Sequence, residues 1–364
     1  MWSAREFVSC SREWSTSGEQ VEFVLGQVDA IVVSSPEIAK EMLKDKDPVY
    51  ADRPESIALS IFWYNYVDIT FSPYGHYWRK MRKICVLELL SAKNVRSFGL
   101  IRKDEVGRLV ESLRLHGEEP VNLTEMVYLA LSSIICRAAF GKVLKDKEAL
   151  TRLVRVALEM GTGHLLADIF PSSVIANAVS WSTKRSTKPI DEDMFTGGTE
   201  TSLSSVDWVM TELIRNLRAM DKVQAEIRLV MKGRSHTSIE EEDIQKMKYL
   251  KLVIMESHRL HPQGSILHRL SRESCEIGGY TVPAKTKVAT CPSEREKSVP
   301  GIVFGSASVA LPLAQLLHEF NWKLPRGVDA QGLNMIERYG VSSCRKDKLL
   351  LLLLLINRLR KQHN

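Results

Sequence analysis

A run of small and hydroxyl-bearing residues, FTGGTETS at positions 195–202, has the composition of a site that contacts a small molecule. Two adjacent glycines within a helix cost roughly 1 kcal/mol each relative to alanine, so such a helix usually needs space against its backbone. The hydroxyls of Thr199, Thr201 and Ser202 can divert local carbonyls and open the helical ladder. The sequence thus predicts a groove beside Glu200 and Thr201, suited to delivering a proton onto a bound small molecule. A plain helix–helix contact through small residues is an equally good interpretation.

Two further pairs have spacings that place their side chains on one helical face. Glu256 and Arg259 can form an ion pair, and the apolar helix around them, which ends at His261, favours a buried pair. Trp78 and Arg82 present an indole N–H and a guanidinium, which suit the carboxylates of a flat hydrophobic ligand. A tryptophan packed beneath an arginine stem explains that second spacing equally well.

The elements that position these residues are mainly helices. Periodicity predicts a helix over residues 77–90 with Met81, Ile84, Cys85 and Leu89 on its inner face. The other predicted helices are a short helix from Pro36, a helix capped by Asn122, a short helix after a capping box at 238–241, a helix over 247–260 and an apolar helix over 304–318. The predicted β elements are a hairpin over 21–35 and a second β region over 275–288. The apolar run over 349–356 is interpreted as a strand or a buried helix turn. The predicted fold class is mainly α with a small β region, in one domain over 1–364.

The amino-acid composition of the chain argues against several classes of protein. The chain has 44% hydrophobic and 26% charged residues, which is ordinary for a globular protein. Its net charge of +6 is spread among acidic residues, so we expect no nucleic-acid partner. Six well-separated cysteines without a CxxC pair argue against a disulfide scaffold and a structural zinc site. The N-terminal residues contain no apolar run of anchor length, so we expect no intact membrane anchor.

The order of the motifs resembles that of the plant cytochrome P-450 monooxygenases, in particular the large clan that oxidises terpenoids and other specialised metabolites. The resemblance covers nearly the whole chain, from SPYGHYWRKMRKI through TGGTETS and ExxR-HP to PGIVFGSASVALPLAQLLHEFNWKLP. It implies a cytochrome P-450 fold, a haem cofactor, an NADPH–cytochrome reductase as partner and a small lipophilic substrate. It also implies the cytoplasmic face of the endoplasmic reticulum, although a chain without an anchor would be cytoplasmic.

The resemblance assigns roles to individual residues. Trp78, Arg82 and Arg269 would hold the haem propionates, and Glu200 with Thr201 would form the acid–alcohol pair that protonates bound dioxygen. Glu256 and Arg259 would belong to a buried structural triad. The substrate would be faced by Phe195, Gly197, Gly198 and Ile266.

The chain departs from the family's pattern at the iron ligand. Family members have a cysteine immediately before the Pro-Gly of the last long helix, and its thiolate binds the iron. Here Val299 precedes Pro300, so no metal ligand is predicted, and Cys291 is a poor substitute because no ligand loop surrounds it. The family's covering segments also have no counterpart near residues 170–194 and 290–300. An incomplete P-450 fold is therefore expected.

These departures leave two hypotheses. The first is a haem-thiolate monooxygenase that oxidises a terpenoid-like substrate with dioxygen and reductase electrons, with its activity impaired. The second is a non-catalytic, haem-free relic or interaction protein from an exon-skipped or decayed gene.

Overall fold

The computed structural model describes residues 21–25, 27–33, 35–56, 60, 65–117, 119–142, 168, 170, 172–174, 193–233, 238–263, 267–290, 301–338 and 342–355. Its helices are α1 Pro36–Lys40, α2 His76–Ile84, α3 Ala92–Ser97, α4 Gly99–Leu115, α5 Leu123–Phe140, α6 Asp193–Arg215, α7 Leu217–Val230, α8 Glu241–Ile244, α9 Lys248–Leu260 and α10 Ile302–Glu319. Its strands are β1 Val21–Leu25, β2 Val28–Val33, β3 Val121–Asn122, β4 Leu267–Leu270, β5 Cys275–Ile277, β6 Tyr280–Val282, β7 Lys287–Thr290, β8 Phe320–Lys323, β9 Glu337–Arg338, β10 Cys344–Arg345 and β11 Leu350–Leu355. The prediction of a mainly α fold with a small β region is confirmed.

The main hydrophobic core lies among α4, α5, α6, α7, α9 and α10. Helix α6 is central, since it packs against α5, α10, α9 and α7. Its buried residues include Val206, Trp208 and Met210, each with essentially no exposed surface. Burial on almost every side explains why this helix tolerates a run of small polar residues, because tertiary packing outweighs their weak helix propensity.

A four-stranded sheet, in the order β1-β2-β7-β4, forms a second and smaller layer. The predicted N-terminal hairpin is confirmed, because Val21 pairs with Val32 and Leu25 with Val28 in antiparallel register. Strand β7 runs parallel to β2 and antiparallel to β4, where Arg269 lies opposite Val288. A smaller apolar cluster under this sheet contains Met42 and Tyr50.

The apolar run near the C-terminus is a strand rather than a helical turn. Strand β11 pairs with β3 at Leu350–Asn122 and with β8 at Leu353–Trp322. The side chains of Leu351 and Leu353 are buried, whereas Leu354 is partly exposed, as expected for a strand with one face on the core.

The predicted inner face of the helix over residues 77–90 is wrong. Regular α2 ends at Ile84, and a π-helical turn follows at Cys85–Leu89. A π turn has wider hydrogen-bond spacing than an α-helix, so residues that share a face at a period of 3.6 diverge after Ile84. Cys85 is buried, but the side chains of Ile84 and Leu89 are 39% and 49% exposed.

Two predicted helix starts have different outcomes. Asn122 caps α5 as expected, because its side-chain oxygen accepts a hydrogen bond from the Glu125 N–H at 3.1 Å. The capping box predicted at residues 238–241 is displaced, since the observed box joins Glu240 and Asp243 at the start of α8. Acidic side chains accept backbone N–H groups as serine does, so a run of four acids offers several cap positions.

Two helices, α5 and α10, are long and apolar enough by length and composition to cross a membrane. About half of each is buried within the protein, and both contribute to the main core. Burial to this extent is typical of a helix in the core of a globular domain.

Candidate functional site

The two adjacent glycines of α6 have different surroundings. A Cβ atom added to Gly198 would lie 2.6 Å from Cδ1 of Ile135, so this glycine allows α5 to approach closely. A Cβ atom on Gly197 would have no neighbour within 4 Å, and Gly197 is exposed. Gly198 makes the helix–helix contact. The exposed surface beside Gly197 is where the sequence predicts the groove, which stays a prediction.

The hydroxyl of Thr201 borders the open side of the groove. It donates a hydrogen bond of 2.7 Å to the carbonyl of Gly197, one turn earlier. Ser205 repeats the pattern by donating to the Thr201 carbonyl at 3.0 Å. Such bonds divert carbonyls from the helical ladder, as the sequence predicts. The hydroxyls of Thr199 and Ser202 are buried without a hydrogen-bond partner in the described part of the chain, so they do not take part.

Glu200 is buried on the side of the helix next to Thr201, where it meets the side chain of Cys344. The Cys344 thiol donates to Oε2 of Glu200 across 3.4 Å. Burial, followed by the nearby carboxylate, raises the pKa of Cys344 to about 12. The thiol therefore stays protonated at neutral pH and acts as a hydrogen-bond donor to Glu200.

Cys344 belongs to a segment that sequence reasoning missed, the strap, defined as residues 342–345. Its Ser343 carbonyl accepts hydrogen bonds from Ser204 Oγ at 2.6 Å and from Trp208 Nε1 at 3.1 Å. Its Ser343 N–H donates to the carbonyl of Gln263 at 3.0 Å. These contacts join positions more than 70 residues apart, so local pattern gives no sign of them. The strap fixes one side of the Glu200 groove.

A polar shell continues beyond the strap. With its amide oriented to satisfy its neighbours, Gln263 donates to the Thr201 carbonyl at 3.3 Å and to Ser204 Oγ at 3.1 Å. His258 Nε2 lies 3.0 Å from Ser205 Oγ. The shell thus connects α6 to the C-terminal end of α9 through side chains that no single motif contains.

Trp78 and Arg82 pack against each other on α2. The indole Nε1 of Trp78 donates to the Ile69 carbonyl at 2.9 Å, and Cζ of Arg82 lies 5.1 Å from the Trp78 ring centroid. This is the arrangement of a tryptophan beneath an arginine stem. The indole N–H is committed to the backbone, so a propionate would have to displace that bond in order to use it.

Arg269 is positioned by β4 at the neighbouring edge of the sheet. It is buried, and its guanidinium lies 3.9 Å from the carboxylate of Asp47. Asp52 links strand β4 to the residues that precede Trp78. Its carbonyl accepts a hydrogen bond from the Leu270 N–H, and its carboxylate accepts one from the Tyr74 N–H. One arginine over the Tyr74 ring is Arg272, whose Cζ lies 5.4 Å from the ring centroid, and the ring centroids of Tyr74 and Trp78 are in turn 5.4 Å apart. A joint site for Arg269, Trp78 and Arg82 stays a prediction.

Glu256 and Arg259 form the predicted ion pair, with Oε1 and Nη2 at 2.7 Å. The prediction that the pair is buried is wrong, since their side chains are 55% and 68% exposed. Leu250 and Ser257 are the buried residues of α9, and they define its inner face. At 3.6 residues per turn, Glu256 and Arg259 lie roughly 100–180° away from that face.

Several predicted site residues lie outside the described residues. They are Ile266, Cys291 and Val299, and for Phe195 only the backbone, within α6, is described.

The described cysteines do not provide an iron ligand where the resemblance places it. Cys85 and Cys136 are buried, Cys275 is partly exposed on β5, and the Cys344 thiol is held protonated beside Glu200. The described ranges contain no group of three or more His, Cys, Asp or Glu side chains arranged to hold a metal ion. Within the described ranges, no cysteine is placed to supply a thiolate to iron, so these residues do not fit a haem-thiolate centre.

Comparison with known proteins identifies the lineage. The model of the cytochrome P450 family matches residues 5–192 and 183–297. The chain belongs to the cytochrome P450 family. It is 38% identical over 430 residues to premnaspirodiene oxygenase of Hyoscyamus muticus, covering 92% of this chain and 85% of the relative. Because the alignment is longer than this chain of 364 residues, the relative has internal segments that the chain lacks. The chain is therefore shorter than this relative over the region that they share.

Other plant cytochromes P450 give the same result. Identity is 38% to cytochrome P450 71D95 of Mentha spicata, over 90% of this chain and 84% of that protein. It is 36% to melianol synthase of Ailanthus altissima, over 91% of this chain and 83% of that protein. The fold agrees, since a zebra fish cytochrome P450 solved with abiraterone superposes with a TM-score of 0.75. That structure is 17% identical and is covered to 97%, with 94% of this chain aligned.

Proposed function

We propose that this cytochrome P450 descends from terpenoid-oxidising monooxygenases of plant specialised metabolism and that its own monooxygenase activity is impaired. The observation that carries the proposal is the residue before Pro300-Gly301, which is Val299. A valine side chain has no atom that binds iron, and the axial thiolate sets the reactivity of haem in this family. Similarity to premnaspirodiene oxygenase and to melianol synthase supports the assignment to oxidative metabolism.

The boundaries of the family match support the positions of the missing segments. Its two parts overlap at residues 183–192, so the family pattern is interrupted there, and the match ends at residue 297. These positions coincide with the expected gaps near 170–194 and 290–300. A single truncated domain explains both the interruption and the loss of the ligand loop.

The proposed substrate and partners follow from the family. We infer a small lipophilic, terpenoid-like substrate beside Gly197 and Thr201, and the family resemblance adds Phe195 and Ile266 as proposed substrate-facing residues. Haem, where a family member binds it, supplies the iron that activates dioxygen, with electrons from an NADPH-dependent reductase. Family members of this kind work at the cytoplasmic face of the endoplasmic reticulum, which is the expected location of this chain's intact relatives.

A haem-free interaction protein is the second candidate, and one observation favours it. The face of α9 that carries the Glu256–Arg259 pair also exposes Leu252, Met255 and Leu260. Apolar side chains grouped on one face of a domain commonly mark a surface that another structure covers. Loss of the covering segment would leave this face available for protein contacts.

Haem content separates the two candidates. The full chain is purified after expression with a haem precursor, its haem is quantified per polypeptide, and oxidation of terpenoid substrates is measured with a plant reductase. We expect bound haem without turnover above a haem-only control, the result that favours an impaired enzyme over a haem-free protein. A haem-free polypeptide would favour the second candidate, and reductase-dependent turnover would contradict the proposal.

A further inference from the structure

His261, which ends α9, lies between two carboxylates. Its Nε2 is 2.9 Å from Oε1 of Glu212 on α6, and its Nδ1 is 3.3 Å from Oε1 of Glu337 on β9. A carboxylate oxygen accepts hydrogen bonds, and a neutral imidazole carries a proton on one nitrogen only. Both contacts are therefore hydrogen bonds to carboxylates when His261 is an imidazolium.

The His261 ring also stacks on the residue that holds the strap. The ring centroids of His261 and Trp208 are 3.7 Å apart, and the ring planes differ by 5°. Trp208 in turn donates to the Ser343 carbonyl, and Cζ of Arg345 lies 6.0 Å from the Trp208 ring centroid. His261 thus contacts β9 directly, through Glu337, and contacts the strap indirectly, through Trp208.

Other charged groups face this cluster from both sides. On α6, Arg215 lies 3.5 Å from the Glu212 carboxylate, and Asp207 is buried near Arg345 of the strap. Burial raises the pKa of Asp207 to about 6, with Arg345 acting in the opposite direction. A test of His261 must therefore separate its titration from that of Asp207.

We propose that protonated His261 is a latch that holds β9 and the strap against α6, and that its deprotonation loosens the strap over Glu200. The latch is built entirely from side chains of this chain, so it does not depend on haem binding or on the proposed function. Loosening would release the Cys344 contact that occupies Glu200, because Cys344 and Ser343 are adjacent in the strap.

The direction of the pH response follows from the surroundings of the ring. Burial lowers the pKa of His261, but the hydrogen bonds and charges of Glu212 and Glu337 outweigh burial and raise it above its ordinary value. A group with a raised pKa in the folded state stabilises that state below its ordinary pKa. This stabilisation is lost as the pH rises through the raised value. The strap is accordingly latched in mild acid and loosens toward alkaline pH.

Trp208 provides the readout. An excited indole loses its fluorescence to a stacked imidazolium far more efficiently than to a neutral imidazole. Emission of the full chain is measured from pH 5.5 to 9, with Trp208→Phe subtracted to remove the other tryptophans, alongside amide hydrogen exchange of residues 342–345. We expect a transition centred above the ordinary pKa of histidine, and so separate from any change that Asp207 causes near pH 6, in which emission and strap exchange rise together several-fold.

Two variants make the experiment decisive. His261→Asn should abolish the transition, and His258→Asn, which changes a histidine one turn earlier, should retain it. Glu337→Gln removes one carboxylate and should move the midpoint to lower pH in a protein that keeps its fold. A transition that persists in His261→Asn, an unmoved midpoint in Glu337→Gln, or strap exchange that is independent of pH would overturn the latch.

Discussion

Two faces of the helical core differ in how completely they are covered. Around the N-terminal half of α6, Glu200, Ser204 and Trp208 are buried beneath the strap and hydrogen-bonded to it. On the outer face of α9, the Glu256–Arg259 pair and the nearby Leu252 side chain are exposed. This part of α6 is thus covered by the strap, and the outer face of α9 is exposed in the part of the chain that the structure describes.

The two faces differ in the segments that cover them. The polar residues of α6 around Ser204 are covered by the strap and by Gln263, which lie far from α6 in the sequence. On the outer face of α9, the described residues leave Leu252, Met255 and Leu260 exposed. Burial of a site is therefore a property of its covering segments as much as of its own residues.

The largest expected effect is on Trp208. Trp208→Ala removes a fully buried ring that stacks on His261 and holds the Ser343 carbonyl, and it should lower the free energy of unfolding by about 3–5 kcal/mol. Leu252→Ala on the exposed α9 face is the matched control and should change it by less than about 0.5 kcal/mol. Urea denaturation measures both. Equal losses would show that the α9 face is packed as tightly as α6.

The two glycines of α6 should respond in opposite directions. Gly198→Ala places a methyl group against Ile135 and should destabilise the protein by about 1–3 kcal/mol. Gly197→Ala meets open space and should stabilise the helix by up to about 1 kcal/mol. Adding Ile135→Val, which removes the clashing Cδ1 atom, should recover part of the Gly198→Ala loss. Additive losses in the double variant would contradict the close contact between α5 and α6.

The smallest effect is expected at the exposed ion pair. Arg259→Ala should leave the midpoint of urea denaturation unchanged, because an exposed pair is solvated equally well when it is separated. Lys251→Ala, on the same helix, serves as a charge control. A marked loss for Arg259→Ala alone would mean that the pair is buried, as the resemblance implies.

Much of the fold could be predicted from sequence because its signals are local. The hairpin, the Asn122 cap and the end of α9 at His261-Pro262 follow from neighbouring residues. The α2 face was predicted wrongly because a π turn changes the helical period after Ile84. The strap was missed because its contacts with Glu200 and Trp208 span more than 130 residues.

The candidate site was only partly predictable for the same reason. The glycine and threonine pattern predicted the close helix contact at Gly198 and the Thr201 hydrogen bond to the helix backbone, because both depend on local sequence. Burial of Glu256 and Arg259 was predicted from the apolar character of α9, but burial depends on what covers a face. The identity of the residue before Pro300 needs no structure, since valine lacks any metal-binding atom.

The claim that this chain supplies no thiolate to haem iron is tested most directly by the absorbance spectrum of the reduced, carbon-monoxide-bound protein after reconstitution with haem. We expect the long-wavelength Soret band typical of thiolate ligation to be absent, both in the natural chain and in Cys291→Ala. A thiolate-type band in the natural chain would contradict it, and loss of that band in Cys291→Ala would identify Cys291 as the ligand.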